Sequence, residues 1–108
     1  MKYPEIITAL PKIDIPNAGV NGFLLQGSEK QLVFFEFNIE TIIPKHTHGA
    51  QWGIVVDGEI RLTISGVEKT YRQGDSYFIH SGAEHSGITT AGFKAIDFFD
   101  QHDRYQAK

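Results

Sequence analysis

Turn-forming residues interrupt this chain so often that no element within it can be long. "QGSEK" (26–30), Asp57-Gly58, Ser65-Gly66, Gly74-Asp75, Ser81-Gly82 and Ala91-Gly92 recur at short intervals, and β-branched and aromatic runs fill the gaps. Those runs are "FLL", "QLVFFEFNI", "WGIVVD", "EIRLTI", "VEKTYR", "SYFIH" and "GFKAIDFF", all of strand length and several alternating apolar with polar residues. No window holds a helical period over ten residues. The pattern predicts an all-β meander that closes into a barrel or stacks as a two-sheet sandwich, either of which removes exposed sheet edges. Residues 1–22, with Pro4, Pro11, Pro16, Gly19 and Gly22, read as an irregular or edge-strand arm. A chain of 108 residues predicts one domain, 1–108, large enough to bury its core without a metal or disulfide.

Composition excludes several classes of function. Hydrophobic residues make up 41% and charged residues 21%, so neither a disordered chain nor a membrane protein is indicated. No apolar run approaches the roughly 18 residues of a membrane span, and "MKYPEIITAL" lacks the pattern of a signal peptide, so a cytoplasmic location is expected. The net charge is −3 and the ten Lys and Arg are scattered, which leaves no footprint for nucleic acid. Cysteine is absent, so any metal must be held by nitrogen and oxygen.

Two of the five histidines stand one residue apart in "PKHTHGAQWGIVVDGE" (44–59). On a strand, His46 and His48 point the same way with Cα atoms about 6.5 Å apart, so both imidazoles could hold one ion. Gln51 lies an odd number of residues beyond His48 and would face away on a regular strand, but Gly49-Ala50 supplies a small-residue bend that could return it. Gln51, Gly53 and Val55 then share a face, with Gly53 leaving space beside the metal and Trp52, Ile54 and Val56 packing the other side. Farther on, "GDSYFIHSGAEHSG" carries His85 after a strand and a tight turn, where antiparallel pairing could bring it back beside the first two. Three imidazoles and one amide oxygen make a four-ligand site for a divalent ion, with Ni, Zn, Fe, Mn and Co all possible.

These residues resemble the cupin superfamily, whose motifs read G(x)5HxH(x)3-4E(x)6G and G(x)5PxG(x)2H(x)3N. His46, His48, Gln51 and Gly58 match the first motif, and Gly74, Gly82 and His85 the second. Departures are Glu40 in place of the first glycine, a shortened spacing before Gln51, Gln51 for glutamate, His80 for proline and Thr89 for asparagine. The resemblance implies a single-domain cupin, a double-stranded β-helix or jelly-roll barrel, with His46, His48, Gln51 and His85 as metal ligands. Cupins of this size commonly pair, so a homodimer is implied, through an edge strand or the N-terminal arm. His80, at a strand end, reads as a rim or second-sphere residue, and His102 as solvent-exposed.

The last run, "FKAIDFFDQHDRYQ", places Phe93, Ala95, Asp97 and Phe99 on one face and Lys94, Ile96 and Phe98 on the other. Both faces carry apolar residues, so parity leaves Asp97 either in the interior, where desolvation would raise its pKa toward general acid–base use, or on the solvent side. The combination is similar to the small cupins of pectin and alginate breakdown, which open 4,5-unsaturated monouronates to linear keto forms. That similarity implies an isomerase- or lyase-type enzyme on a small anionic sugar acid, with Asp97 moving the proton, Arg104 pairing with the substrate carboxylate and Phe99 in the substrate site. Two other classes stay open: a metal-dependent dioxygenase and a non-catalytic small-molecule-binding cupin.

Overall fold

The computed structural model describes residues 1–108. Nine strands follow one single-turn helix, α1 (Glu5–Thr8). They are β1 (Val20–Gln26), β2 (Gln31–Phe37), β3 (Thr41–His46), β4 (Gln51–Asp57), β5 (Glu59–Ile64), β6 (Val67–Arg72), β7 (Ser76–Ile79), β8 (His85–Thr89) and β9 (Phe93–Phe99). All pairings are antiparallel, in one sheet of order β1-β2-β9-β4-β7 and a second of order β3-β8-β5-β6. The two sheets stack as a jelly-roll barrel, with a single core cluster between them that includes Val33, Phe35, Phe37, Val55, Ile60, Leu62, Phe93 and Phe99. No helix is long and apolar enough to cross a membrane.

Short connections let each strand fold back at once. The β5–β6 hairpin turns on Ser65 and Gly66, both at positive φ (48° and 82°), the backbone twist that a two-residue hairpin requires. The β3 ladder to β8 is less regular. Ile43 pairs with Gly87, then the register shifts before His46 meets His85. Pro44, which has no N–H to give a ladder, lies in that gap.

Strand β9 is central in its sheet, and its parity is decided by burial. Phe93, Ala95, Asp97 and Phe99 are buried inside, while Phe98 faces out. The outer face of this sheet is apolar as well. Leu25, Leu32, Phe98, Trp52 and Phe78 are cross-strand partners in one row over all five strands, with Leu25 53%, Trp52 42%, Phe78 50% and Phe98 39% exposed. The neighbouring row is covered by the chain itself. Tyr3 packs its ring edge-on against Phe23 and Phe34 and donates its hydroxyl to Phe35 O at 2.9 Å.

The N-terminal arm therefore lies on its own barrel, and it is shorter than its composition suggests. β1 begins at Val20, so residues 20–22 belong to the sheet. Gly22 is tolerated there because a side chain would strike Ile13 and Val33. Ile13 is fully buried and forms a bridge with Ala107, tying the arm to the C-terminal segment.

Candidate metal centre and cavity

The three motif histidines converge at one end of the barrel. His46 ends β3, His85 opens β8 opposite it, and His48 follows in the loop before β4. The two members of the HxH pair thus do not sit on one regular strand, as their spacing predicts; the irregular β3 end and the loop bring their rings together instead. Their ligating nitrogens all lie within 4.8 Å of one another.

Backbone carbonyls set the tautomer of every ring. His46 Nδ1 donates to Pro44 O (2.8 Å), His48 Nδ1 to Gly49 O (2.7 Å) and His85 Nδ1 to Ala83 O (2.9 Å). A carbonyl only accepts, so each Nδ1 carries the proton and each Nε2 presents a lone pair. His48 Nε2 and His85 Nε2 then face each other at 3.1 Å with no proton between them. Burial pushes the His48 pKa down to about 4 and lowers that of His85, with the Arg104 charge adding to both. Protonating a ring is disfavoured, and a metal cation would satisfy both opposed lone pairs at once. Two nitrogens about 3 Å apart are what an ion at roughly 2.1 Å from each would hold.

Asp97 stands beside the triad, fully buried on β9. Its Oδ1 accepts hydrogen bonds from Tyr77 Oη (2.7 Å) and Gln51 Nε2 (2.8 Å). Desolvation raises its pKa to about 6, against the lowering effect of those two donors. Burial also drives the Tyr77 hydroxyl well above its ordinary value, so it stays a donor at neutral pH. Gly53 lies between them on β4, paired with Asp97 on one side and Tyr77 on the other. A side chain there would overlap the Asp97 carboxylate and the Tyr77 ring. The space expected beside the metal is instead filled by the acid and the phenol.

His46, His48, Gln51, Tyr77, His85, Asp97 and Arg104 all line one cavity of about 440 Å³, within the range of roughly 300–1,000 Å³ typical of small-molecule sites. Arg104 enters from the segment after β9. Its guanidinium lies 4.4 Å from the centre of the Tyr105 ring, and its buried Nε has no hydrogen-bond partner. That segment is anchored at several points. Asp100 N donates to Ala50 O and Gly49 N donates to Gln101 Oε1, both at 2.8 Å, which ties it to the loop between His48 and Gln51. Tyr105 N donates to Gln31 Oε1 (3.0 Å) and Tyr105 O accepts from Gln31 Nε2 (2.8 Å).

A cupin domain family model matches residues 33–98, more than half of the chain. The chain is a cupin. Among solved structures, the cupin is similar to an RmlC-like cupin from Shewanella frigidimarina NCIMB 400, at 26% identity and a TM-score of 0.77 over 87% of this chain and 86% of that one. It is also similar to KdgF from Halomonas sp., at 19% identity and TM-score 0.74 over 84% and 87% of the two chains. Its fold matches 28% of an oxalate decarboxylase variant from Bacillus subtilis, at 19% identity, TM-score 0.74 and 85% of this chain. Comparison with curated protein sequences finds no match.

The cupin's histidine triad fits a metal, and the Gln51 amide, which spends its Nε2 on Asp97, keeps Oε1 free as an acceptor. Two sequence expectations change, and one cavity residue is new. Phe99, expected in the substrate site, is absent from the cavity wall; it is buried behind His48 (ring centroids 5.6 Å) and Tyr105 (5.5 Å), where it holds both in place. His80 is exposed against Phe78 and away from the cavity. Tyr77 was not singled out, although its parity with Ile79 on β7 places both inside.

Proposed function

We propose that this cupin is a metal-dependent isomerase- or lyase-type enzyme acting on a small anionic sugar acid, ring opening of a 4,5-unsaturated uronate being the reaction that fits best. One observation carries the reading: a buried acid poised near neutral pH, a half-buried arginine whose buried Nε is an unpaired donor and three convergent imidazole lone pairs face the same cavity. A divalent ion on those nitrogens would supply Lewis acidity toward a substrate oxygen.

The chain's own groups divide the remaining work. Arg104 pairs with the uronate carboxylate. Asp97, ionised above about pH 6, takes the proton of the anomeric hydroxyl as the bond from C1 to the ring oxygen breaks, leaving an aldehyde at C1. The ring oxygen departs as an enolate at C5, and a proton delivered to C4 gives the ketone, so the product is an isomer and no oxidant is needed. Tyr77 and Gln51 hold the Asp97 carboxylate in place through both changes of charge. The test is to add 4,5-unsaturated galacturonate or mannuronate to metal-loaded protein and follow loss of the conjugated-alkene absorbance. Acceleration over buffer, reduced about 10²- to 10⁴-fold in Asp97→Asn, is the expected result; no acceleration removes the substrate assignment.

A further inference from the structure

The strand register sorts the inward side chains into layers, successive layers being about 6.6 Å apart along a strand. In the first, His46 is opposite His85, and Gln51 is opposite Phe99. In the second, Asp97 is opposite Gly53, which is opposite Tyr77, while Ile43 and Leu62 flank Gly87 in the other sheet. In the third, Phe35 is opposite Ala95, and Ile60 is opposite Thr89. Phe37 and Phe93 form the fourth, their rings 5.5 Å apart.

The cavity runs through all four layers and changes character along the way. Among the strand residues, every group able to bind charge lies in the first two layers; Arg104 enters from the segment after β9 and Asp14 from the N-terminal arm. Beyond Asp97 and Tyr77 the strands contribute only Phe35, Phe37, Ile60 and Phe93 to its wall. The buried hydroxyls at that depth, Thr41 and Thr89, do not line it. The polar groups near that end come from outside the sheets: Asp14 and Asn17 from the exposed arm, Asn17 next to Val20 and so near Phe37, and Gln106 from the C-terminal segment.

We propose that the cavity selects acids with a hydrocarbon body: a carboxylate and neighbouring oxygen at the histidine end, and carbons bearing few or no hydroxyls toward Phe35, Ile60 and Phe93. This rests on the site reading above for the placement of the acid head. A hydroxyl carried against the inner strand wall gives up water and finds no partner among Phe35, Phe37, Ile60 and Phe93, whereas a methylene there gains by burial. Among sugar acids the same contrast favours dehydrated or deoxy forms over fully hydroxylated ones.

The test compares 2-hydroxyhexanoate with D-gluconate, two 2-hydroxy acids of equal chain length that differ only in the hydroxyls on the remaining carbons. Each is titrated calorimetrically into the purified, metal-loaded protein. 2-Hydroxyhexanoate is expected to bind at least about tenfold more tightly. Phe93→Tyr, which adds a hydroxyl to the inner wall, and Ile60→Thr, which exchanges an ethyl branch for a hydroxyl, are expected to shrink that ratio several-fold; thermal melts identify any variant that has lost its fold, and the other then serves. Equal affinities, tighter gluconate, no binding of either acid, or a ratio unmoved in a folded variant would overturn the proposal. Ring opening without this preference would leave the reaction standing and remove the selectivity. The preference without ring opening would do the reverse.

Discussion

Gly53→Ala is the sharpest test of how this site is built, because two simple arguments give it opposite signs. Gly53 has ordinary extended backbone geometry and is absent from the residues at positive φ. Intrinsic propensity therefore favours alanine by roughly 0.5–1 kcal/mol, since a glycine in a strand loses more backbone entropy on folding. The packing says otherwise. The added methyl would overlap the Asp97 carboxylate and the Tyr77 ring, both buried and held on the strands either side of β4. Overpacking of a rigid core costs about 1–3 kcal/mol. Losing the hydrogen bond between Tyr77 and the carboxylate adds roughly 1.5–3 kcal/mol. Partial relaxation leaves a net loss of roughly 2–4 kcal/mol, or a Tm lower by about 10–25 °C for a domain of this size. Urea and thermal unfolding followed by circular dichroism would measure it. A variant as stable as the parent, or more so, would refute the account of the Asp97–Gly53–Tyr77 contact.

Three further outcomes are expected. His85→Ala should lower affinity for Co(II) or Zn(II) by more than about 100-fold, measured by metal analysis after dialysis; full retention would mean that the triad is not the ligand set. In metal-free protein, His48, with its pKa lowered from 6.5 to about 4, takes up protons in the unfolded state first, so its contribution to stability falls as pH drops from about 6.5 to 4. Asp97, raised from 3.8 to about 6, holds its proton more tightly when folded, so its contribution falls as pH rises from about 4 through 6 and partly cancels the histidine effect. Asp97→Asn keeps an acceptor for Tyr77 and Gln51 but removes that opposing slope, so its stability should fall more steeply than the parent's between pH 6.5 and 4 in urea titrations; parallel curves would count against a buried, titrating Asp97. Finally, the outward row through Trp52 and Phe98 suits a second copy of the chain, and light scattering should find twice the chain mass, reduced to one chain by Trp52→Glu; a monomeric parent at high concentration would exclude this pairing.

The histidines were legible because metal ligation needs side chains at fixed spacings, and HxH followed by a third histidine after Gly82 keeps those spacings in the sequence. The inward return of Gln51 was legible for a related reason, the small residues Gly49 and Ala50 before it. Which sheet β9 would join, and which face of it would be inside, was not. Alternation separates core from solvent only where one face is polar, and here Ile96 and Phe98 oppose Ala95 and Asp97. The outer residues are apolar because Tyr3 covers one row of that sheet and the next row remains hydrophobic, neither of which a local window contains. The β3–β8 pairing is also nonlocal, linking residues 41–46 with 85–89. Tyr77 is obscured by its type, since a tyrosine in a strand reads as ordinary core, and Phe99 is assigned to the substrate site by resemblance alone; only contacts separate a ring that holds a carboxylate from one that props a histidine.

The stretch from Asp100 to Tyr105 touches both sides of the cavity: its first residues brace the loop bearing His48, and near its end it presents Arg104. A mechanical linkage of this kind would make an anion on Arg104 and a metal on the histidines interdependent. An anion that draws the guanidinium inward also steadies the imidazole, so loading with metal should sharpen affinity for the acid, and the acid should sharpen affinity for the metal by the same factor.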